Sequence, residues 1–222
     1  MHSKLFMCAF FCFGLMLNVA GFPFLLGCEA KLGYLFPDVS GFFENEIILK
    51  KDFDILNGLA AGAENLLTGD IGTPAKVSDE ITLGVSLALL PFLSTAIAGK
   101  TFLEDEEASF GVDGLIGIEL EFEESAVSIS DENEFLYHIN NNEFEYVNTF
   151  YCGKSFSLRK NLQWFIECEH EFIAVSSDRE SCLLAGPGLS VAIFDFYVHY
   201  VLVAADAMKP AHGFEGGLVC SF

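Results

Sequence analysis

Between residues 111 and 175 apolar and polar side chains change places at almost every step. In GLIGIELEFEE (114–124), Ile116, Ile118, Leu120 and Phe122 share one parity, while Gly117, Glu119, Glu121 and Glu123 share the other. In NLQWFIECEHEFIA (161–174), Leu162, Trp164, Ile166, Cys168, Phe172 and Ala174 alternate with Gln163, Phe165, Glu167, Glu169 and Glu171. A helix would scatter these glutamates around its circumference, whereas a strand collects them on one face. The same reading predicts strands at 42–51, 80–90, 92–102, 111–123, 126–139, 143–158, 162–175, 181–193, 196–204 and 213–222. Tight turns are expected at Pro91, Glu124–Ser125, Arg159–Asn161 and Asp195, with NNN (140–142) a short link at the opposite end. Longer links are expected at 52–79, 102–110, 176–180 and 205–213.

Two apolar runs, 81–99 and 188–205, approach the length of a transmembrane helix. Pro91 interrupts the first, and Asp195 and His199 lie inside the second. Neither carries the Lys/Arg asymmetry that orients helical spans. Each divides into two strands of the length that crosses a bilayer when tilted. Strands in hydrocarbon must close into a ring so that no backbone group is left unpaired. The predicted fold class is therefore all-β, a closed antiparallel transmembrane β-barrel of about ten strands, or eight if one hairpin merges. Short turns at one end and longer loops at the other suit that architecture. A multi-pass helical inner-membrane protein is the alternative.

Composition supports two environments. The chain is 52% hydrophobic with 24 Phe, yet its formal charge is -21. Eleven Lys and Arg against 32 Asp and Glu exclude nucleic acid as a partner, because binding it requires phosphate neutralisation by a basic surface. Residues 1–21 read as a signal peptide, with His2 and Lys4 before an apolar Leu5–Leu17 and small residues at Val19 and Gly21. LLGC (25–28) competes as a lipobox, which would leave a lipoprotein anchored at Cys28. The expected organisation is a signal peptide at 1–21, a lead segment at 22–41 and the barrel at 42–222. Cys28, Cys152, Cys168, Cys182 and Cys220 have no CxxC spacing and read as small apolar fillers rather than a zinc or disulfide framework.

The segment FGVDGLIGIELEFEESAVSIS (110–130) resembles the central hairpin of small bacterial outer-membrane β-barrels, the eight- to ten-stranded OmpA- or OmpW-like class. FEGGLVCSF (214–222) is similar to the alternating, aromatic-ended last strand of that class, with Phe214, Leu218, Cys220 and Phe222 on one face. The resemblance implies an outer-membrane location, outer-membrane lipid around the wall, and a barrel assembly machinery that reads those four residues. Five cysteines after the signal region and few basic residues depart from the pattern.

No catalytic, metal or cofactor site is expected. CEHE (168–171) has metal-binding residue types, but a strand turns Cys168 and His170 to one face and Glu169 and Glu171 to the other. His199 shares a face with Asp195 and Tyr197, which suits a hydrogen-bonded lumen pair better than a dyad. GxSxG, HExxH and P-loop patterns are absent from the sequence. Glu119, Glu121, Glu123, Glu167, Glu169 and Glu171 are the candidate lumen-lining residues, with Lys100, Lys154, Arg159, Lys160 and Arg179 as candidate cationic partners. A narrow ring favours a salt-bridged, filled interior, with a hydrated path for cations or small solutes as the second reading. Leu56, Leu59, Ala60, Ala63 and Leu66 are spaced for a short amphipathic helix that would cap or plug the barrel. The predicted role is structural or surface-exposed, with limited solute passage.

Overall fold

A computed structural model describes residues 25–36, 40–56, 58–70, 76–104, 107–176, 178–206 and 209–221. The expected signal peptide (1–21) and Phe222 lie outside the described residues. The strands are β1 (Leu25–Phe36), β2 (Ser40–Leu56), β3 (Leu59–Asp70), β4 (Lys76–Leu90), β5 (Leu93–Glu104), β6 (Glu107–Phe122), β7 (Val127–His138), β8 (Glu143–Arg159), β9 (Leu162–Val175), β10 (Asp178–Val191), β11 (Phe194–Ala205) and β12 (Ala211–Ser221). Each pairs antiparallel with its neighbour in sequence, and β1 pairs with β12 from Gly27↔Ser221 to Phe36↔His212, closing the barrel. The described residues include no helix long and apolar enough to cross a membrane. Residues 81–99 and 188–205 each form the two arms of a hairpin, which removes the helical alternative.

The ring has twelve strands rather than ten, and both additions have a physical cause. The lead segment is β1. In it Gly27, Glu29, Lys31 and Gly33 alternate with Leu26, Cys28, Ala30 and Leu32. The expected link at 52–79, with its short helix over Leu56 to Leu66, is instead the end of β2, all of β3 and the start of β4. Ala and Leu favour helices locally, but the pairing of β3 with both neighbours satisfies its whole backbone, and context overrides propensity. The turn expected at Asp195 lies at Ala192–Ile193, and Asp195 belongs to β11. The expected longer links also contract, with β5 and β6 separated only by 105–106. Gly58, Ala126 and Ala192 at one end of the barrel, and Asn142 and Ser176 at the other, carry left-handed backbone conformations that reverse the chain.

Alternation sets the two faces. Leu83 and Ile97 (each 62% exposed), with Ile116, Phe150, Ile166 and Val198, project outward, and Asp113, Leu136, Tyr197, His199, Val201 and Glu215 project inward and are buried. On the outer face Phe156 and Trp164, register partners, stack at 4.1 Å, with the Lys154 ammonium 5.3 Å from the Phe156 ring centroid. Aromatics at the rims of an apolar band are usual where such a wall meets headgroups. The outer face also carries polar contacts, among them Asn65 with Asp79 and His170 with Ser181. Asn148 Nδ2 donates to Asp131 Oδ1 (2.7 Å) and to Asn133 Oδ1 (3.3 Å), and Tyr146 Oη donates to the same Asn133 oxygen (2.7 Å).

Candidate lumen site

Two clusters of ionisable side chains line the inner wall. The first spans β4 to β7 and centres on Lys100. Its ammonium forms ion pairs with Glu80 (3.2 Å) and Asp113 (3.6 Å), and it donates a hydrogen bond to Glu134. These four residues come from four successive strands, and strand alternation turns them all to the same side. One cation thus faces three carboxylates. Thr82 donates to Glu80 (3.1 Å), and Asp113 Oδ1 is buried without a hydrogen-bond partner. Above this cluster His138 Nε2 lies 2.8 Å from Glu145 Oε2, and its ring packs against Phe102 at 5.6 Å.

The second cluster centres on His199, on the opposite side of the ring. Its Nε2 lies 2.8 Å from Glu167 Oε1, and its Nδ1 is 3.4 Å from Glu215 Oε1. Glu167 sits two strands away, on β9, and its register partner on the intervening β10 is Gly186. A glycine there leaves the space through which His199 and Glu167 meet. Gly186 also lies so close to the Val198 carbonyl that a Cβ would collide with it. Pro187, next in the strand, has no N–H to give the ladder, and the β10–β11 register is interrupted at 186–187. Tyr197 stacks on the His199 ring at 4.4 Å and donates to Glu29 Oε1 (2.5 Å), while Tyr151 donates to Glu167 Oε2 (3.2 Å). Lys31 Nζ stands 3.6 Å from Glu29.

The sequence-predicted residues divide three ways. Glu167, Glu169 and Glu171 share the inward parity of β9, and Glu167 joins the His199 cluster. Lys31 acts as a favourable charge on both Glu169 and Glu171, and His199 on Glu169. Glu119 and Glu121 have the inward parity of β6 near its turn end and are exposed, while Glu123 lies in the 123–126 turn and is not part of the wall. Asp195 is not the partner of His199, whose contacts are Glu167 and Glu215. Of the candidate cations only Lys100 enters the clusters. Lys154 and Arg179 have outward parity, and Arg159 and Lys160 lie at the β8–β9 turn. Lys31 and Glu29 were hidden in the segment read as a lead, Asp113 and Glu215 had no run of like residues to mark them, and Glu80 and Glu134 stand in short acidic runs without a clear alternation.

On β12, Phe214 is 59% exposed on the outer face and Cys220 is buried; Leu218 shares their parity. Cys28 lies in β1 opposite Cys220. The described residues contain no group of three or more His, Cys, Asp and Glu arranged to hold a metal ion.

A closed antiparallel ring with an apolar exterior and an ionised interior is the fold of outer-membrane β-barrel proteins. No protein-family model matches the chain, and no curated protein matches it in sequence. Solved structures do match in fold. LpxR from Salmonella typhimurium aligns at a TM-score of 0.54 with 8% identity, covering 88% of this chain and 100% of that one. A KdgM porin in complex with disordered oligogalacturonate gives 0.54 and 8%, covering 88% and 99%. An outer membrane channel from Pseudomonas putida F1 gives 0.53 and 8%, covering 90% and 95%. The likeness to small outer-membrane barrels, expected from 110–130 and from the last strand, is borne out at the level of fold.

Proposed function

We propose that this chain resides in an outer membrane as a narrow channel whose acidic lumen passes small cations and small uncharged solutes in preference to anions. The observation that carries the reading is the excess of inward carboxylates over cations, with Glu169 and Glu171 both drawing on Lys31, which already pairs with Glu29. A carboxylate in a dry interior is costly unless its charge is balanced, so carboxylates in excess of the cations are supported by water. Interior width grows with strand number, so twelve strands leave more room than the ten or eight for which a filled interior was expected. Rings of carboxylates favour cations at close range. The two fixed clusters, each with more carboxylates than cations, narrow this path and keep its sign negative. His199 is held by carboxylates rather than by a hydroxyl or thiol, an arrangement suited to displaying charge and not to activating a nucleophile. That two of the similar structures are a porin and a channel agrees with the reading. Folded protein reconstituted into planar bilayers is expected to give steady ohmic conductance. Folded, inserted protein that carries no current contradicts the proposal.

A further inference from the structure

Four of the five cysteines beyond residue 21 stand opposite one another. Cys152 on β8 and Cys168 on β9 are register partners, and so are Cys28 on β1 and Cys220 on β12, across the seam that closes the ring. The fifth, Cys182 on β10, faces Glu171 and Val203 instead. Directly opposed residues of an antiparallel pair have Cα atoms roughly 4.5–5.5 Å apart. A disulfide accepts Cα separations of roughly 4.4–6.8 Å. Cys152 and Cys168 are half-buried and share the outward parity of Phe150 and Ile166, so both thiols leave the wall on the same side. Sequence spacing conceals both pairs, because the first is joined through a hairpin and the second links the two ends of the sheet.

We propose that these two register pairs are sites of oxidation, forming cross-strand disulfides Cys152–Cys168 and Cys28–Cys220. The proposal rests on the outer-membrane reading, since export places the chain in a compartment where disulfides persist. In each pair one cysteine thiolate attacks a disulfide-bearing oxidant, giving a mixed disulfide and releasing one oxidant thiol. The second cysteine thiolate then displaces the other oxidant thiol as the new S–S bond forms. Two protons and two electrons leave the cysteine pair, and the oxidant is reduced to two thiols. Apolar surroundings suppress the thiolate, so the hairpin exchange belongs to the hydrated chain and the seam exchange to the moment of closure, while the two edges still meet water. The hairpin pair meets through the 160–161 turn, a local contact that forms early. The seam pair meets only when β12 reaches β1. The first bond therefore fixes the β8–β9 register, and the second makes ring closure covalent.

The test is a thiol map of the full chain. Cells are quenched with N-ethylmaleimide, the protein is purified from the outer-membrane fraction, unfolded without reductant, digested and analysed by mass. The expected result is alkylation at Cys182 alone, with peptides 152–168 and 28–220 linked. Alkylated Cys152 and Cys168 overturn the hairpin bond. Alkylated Cys220, with Cys28 either alkylated or lipid-modified, overturns the seam bond, and links to Cys182 overturn the pairing. Cys152→Ser is expected to expose Cys168 to alkylation and leave the seam link intact. If the protein is absent from the outer-membrane fraction, it is the location that fails. The pairing is then read by folding reduced chain into detergent with oxidised glutathione, where the same two links are expected and any other pattern contradicts them.

Discussion

Tyr197 on β11 reaches over β12 to donate a hydrogen bond to Glu29 on β1. Its register partner on β12 is Gly217, and a Cβ there would collide with the tyrosine ring. The glycine thus lets the ring lie flat against the wall, where it stacks on His199 and extends its hydroxyl across the closing strand. The bond fastens the two neighbours of β12 to each other, in addition to the backbone ladders on either side.

Tyr197→Phe is expected to lower barrel stability by about 1–2 kcal/mol, the low end for a hydrogen bond to a charged acceptor that retains some access to water. Gly217→Val is expected to cost more, because it displaces the ring from both Glu29 and His199. Urea unfolding in detergent, followed by the mobility difference between unboiled and boiled samples, reads both. A valine variant as stable as the parent contradicts the role given to Gly217.

Gly186 tests the second approach between backbones. Gly186→Ala places a methyl group against the Val198 carbonyl and beneath the His199–Glu167 contact. The expected loss is about 1–3 kcal/mol, typical of forced overpacking. Gly186→Ala combined with His199→Ala removes the blocked contact but not the backbone collision, so it should recover little. Full recovery would place the cost in the side chains instead.

How much of this was legible in the sequence depends on how each strand advertises itself. β6 and β9 carry unbroken alternation with glutamate on one parity, and their positions are close to those expected from sequence. β3 carries LAAGAENLLTGD, in which alanine and leucine occupy both parities and Glu64, Thr68 and the terminal Asp70 mark the inward one. Such a strand is defined by its partners, β2 and β4, and not by its own pattern. β1 alternates clearly, but its start overlaps a segment that also reads as a processing signal. The ion clusters were invisible for a related reason. Lys100, Asp113 and Glu134 lie on three different strands, and only the register brings them together.

Lys100→Met leaves Glu80, Asp113 and Glu134 facing one another without their shared cation. Lys100 and Asp113 side chains are only 14% and 8% exposed, so water replaces little of the loss. Breaking such a pair costs about 3–5 kcal/mol. Adding Asp113→Asn should return part of that stability, because one buried negative charge is removed. Measured unfolding midpoints should fall in the order parent, double variant, single variant, and a single variant equal to the parent contradicts the cluster's role.

On the outer face, Asn148 satisfies both Asp131 and Asn133. Asn148→Leu leaves Asp131 without its donor against lipid, while Asn133 keeps only Tyr146, at about 1–3 kcal/mol. The change of Asp131, Asn133 and Asn148 to leucine with Tyr146→Phe removes the polar groups together and is expected to restore stability to near the parent. Thermal melts in detergent distinguish the two. If the combined variant is as unstable as the single one, the patch contributes through something other than mutual hydrogen bonding.

The sign of charge selection tests the central claim most directly. Reconstituted protein is held in a planar bilayer with KCl more concentrated on one side, and the reversal potential is recorded for the parent and for Glu169→Gln with Glu171→Gln. The account predicts a reversal potential of the sign set by potassium in the parent, moved toward zero in the variant, with conductance retained and unfolding midpoints unchanged. A parent whose reversal potential has the sign set by chloride, or is unaffected by removing both carboxylates, contradicts the acidic lumen as the selective element.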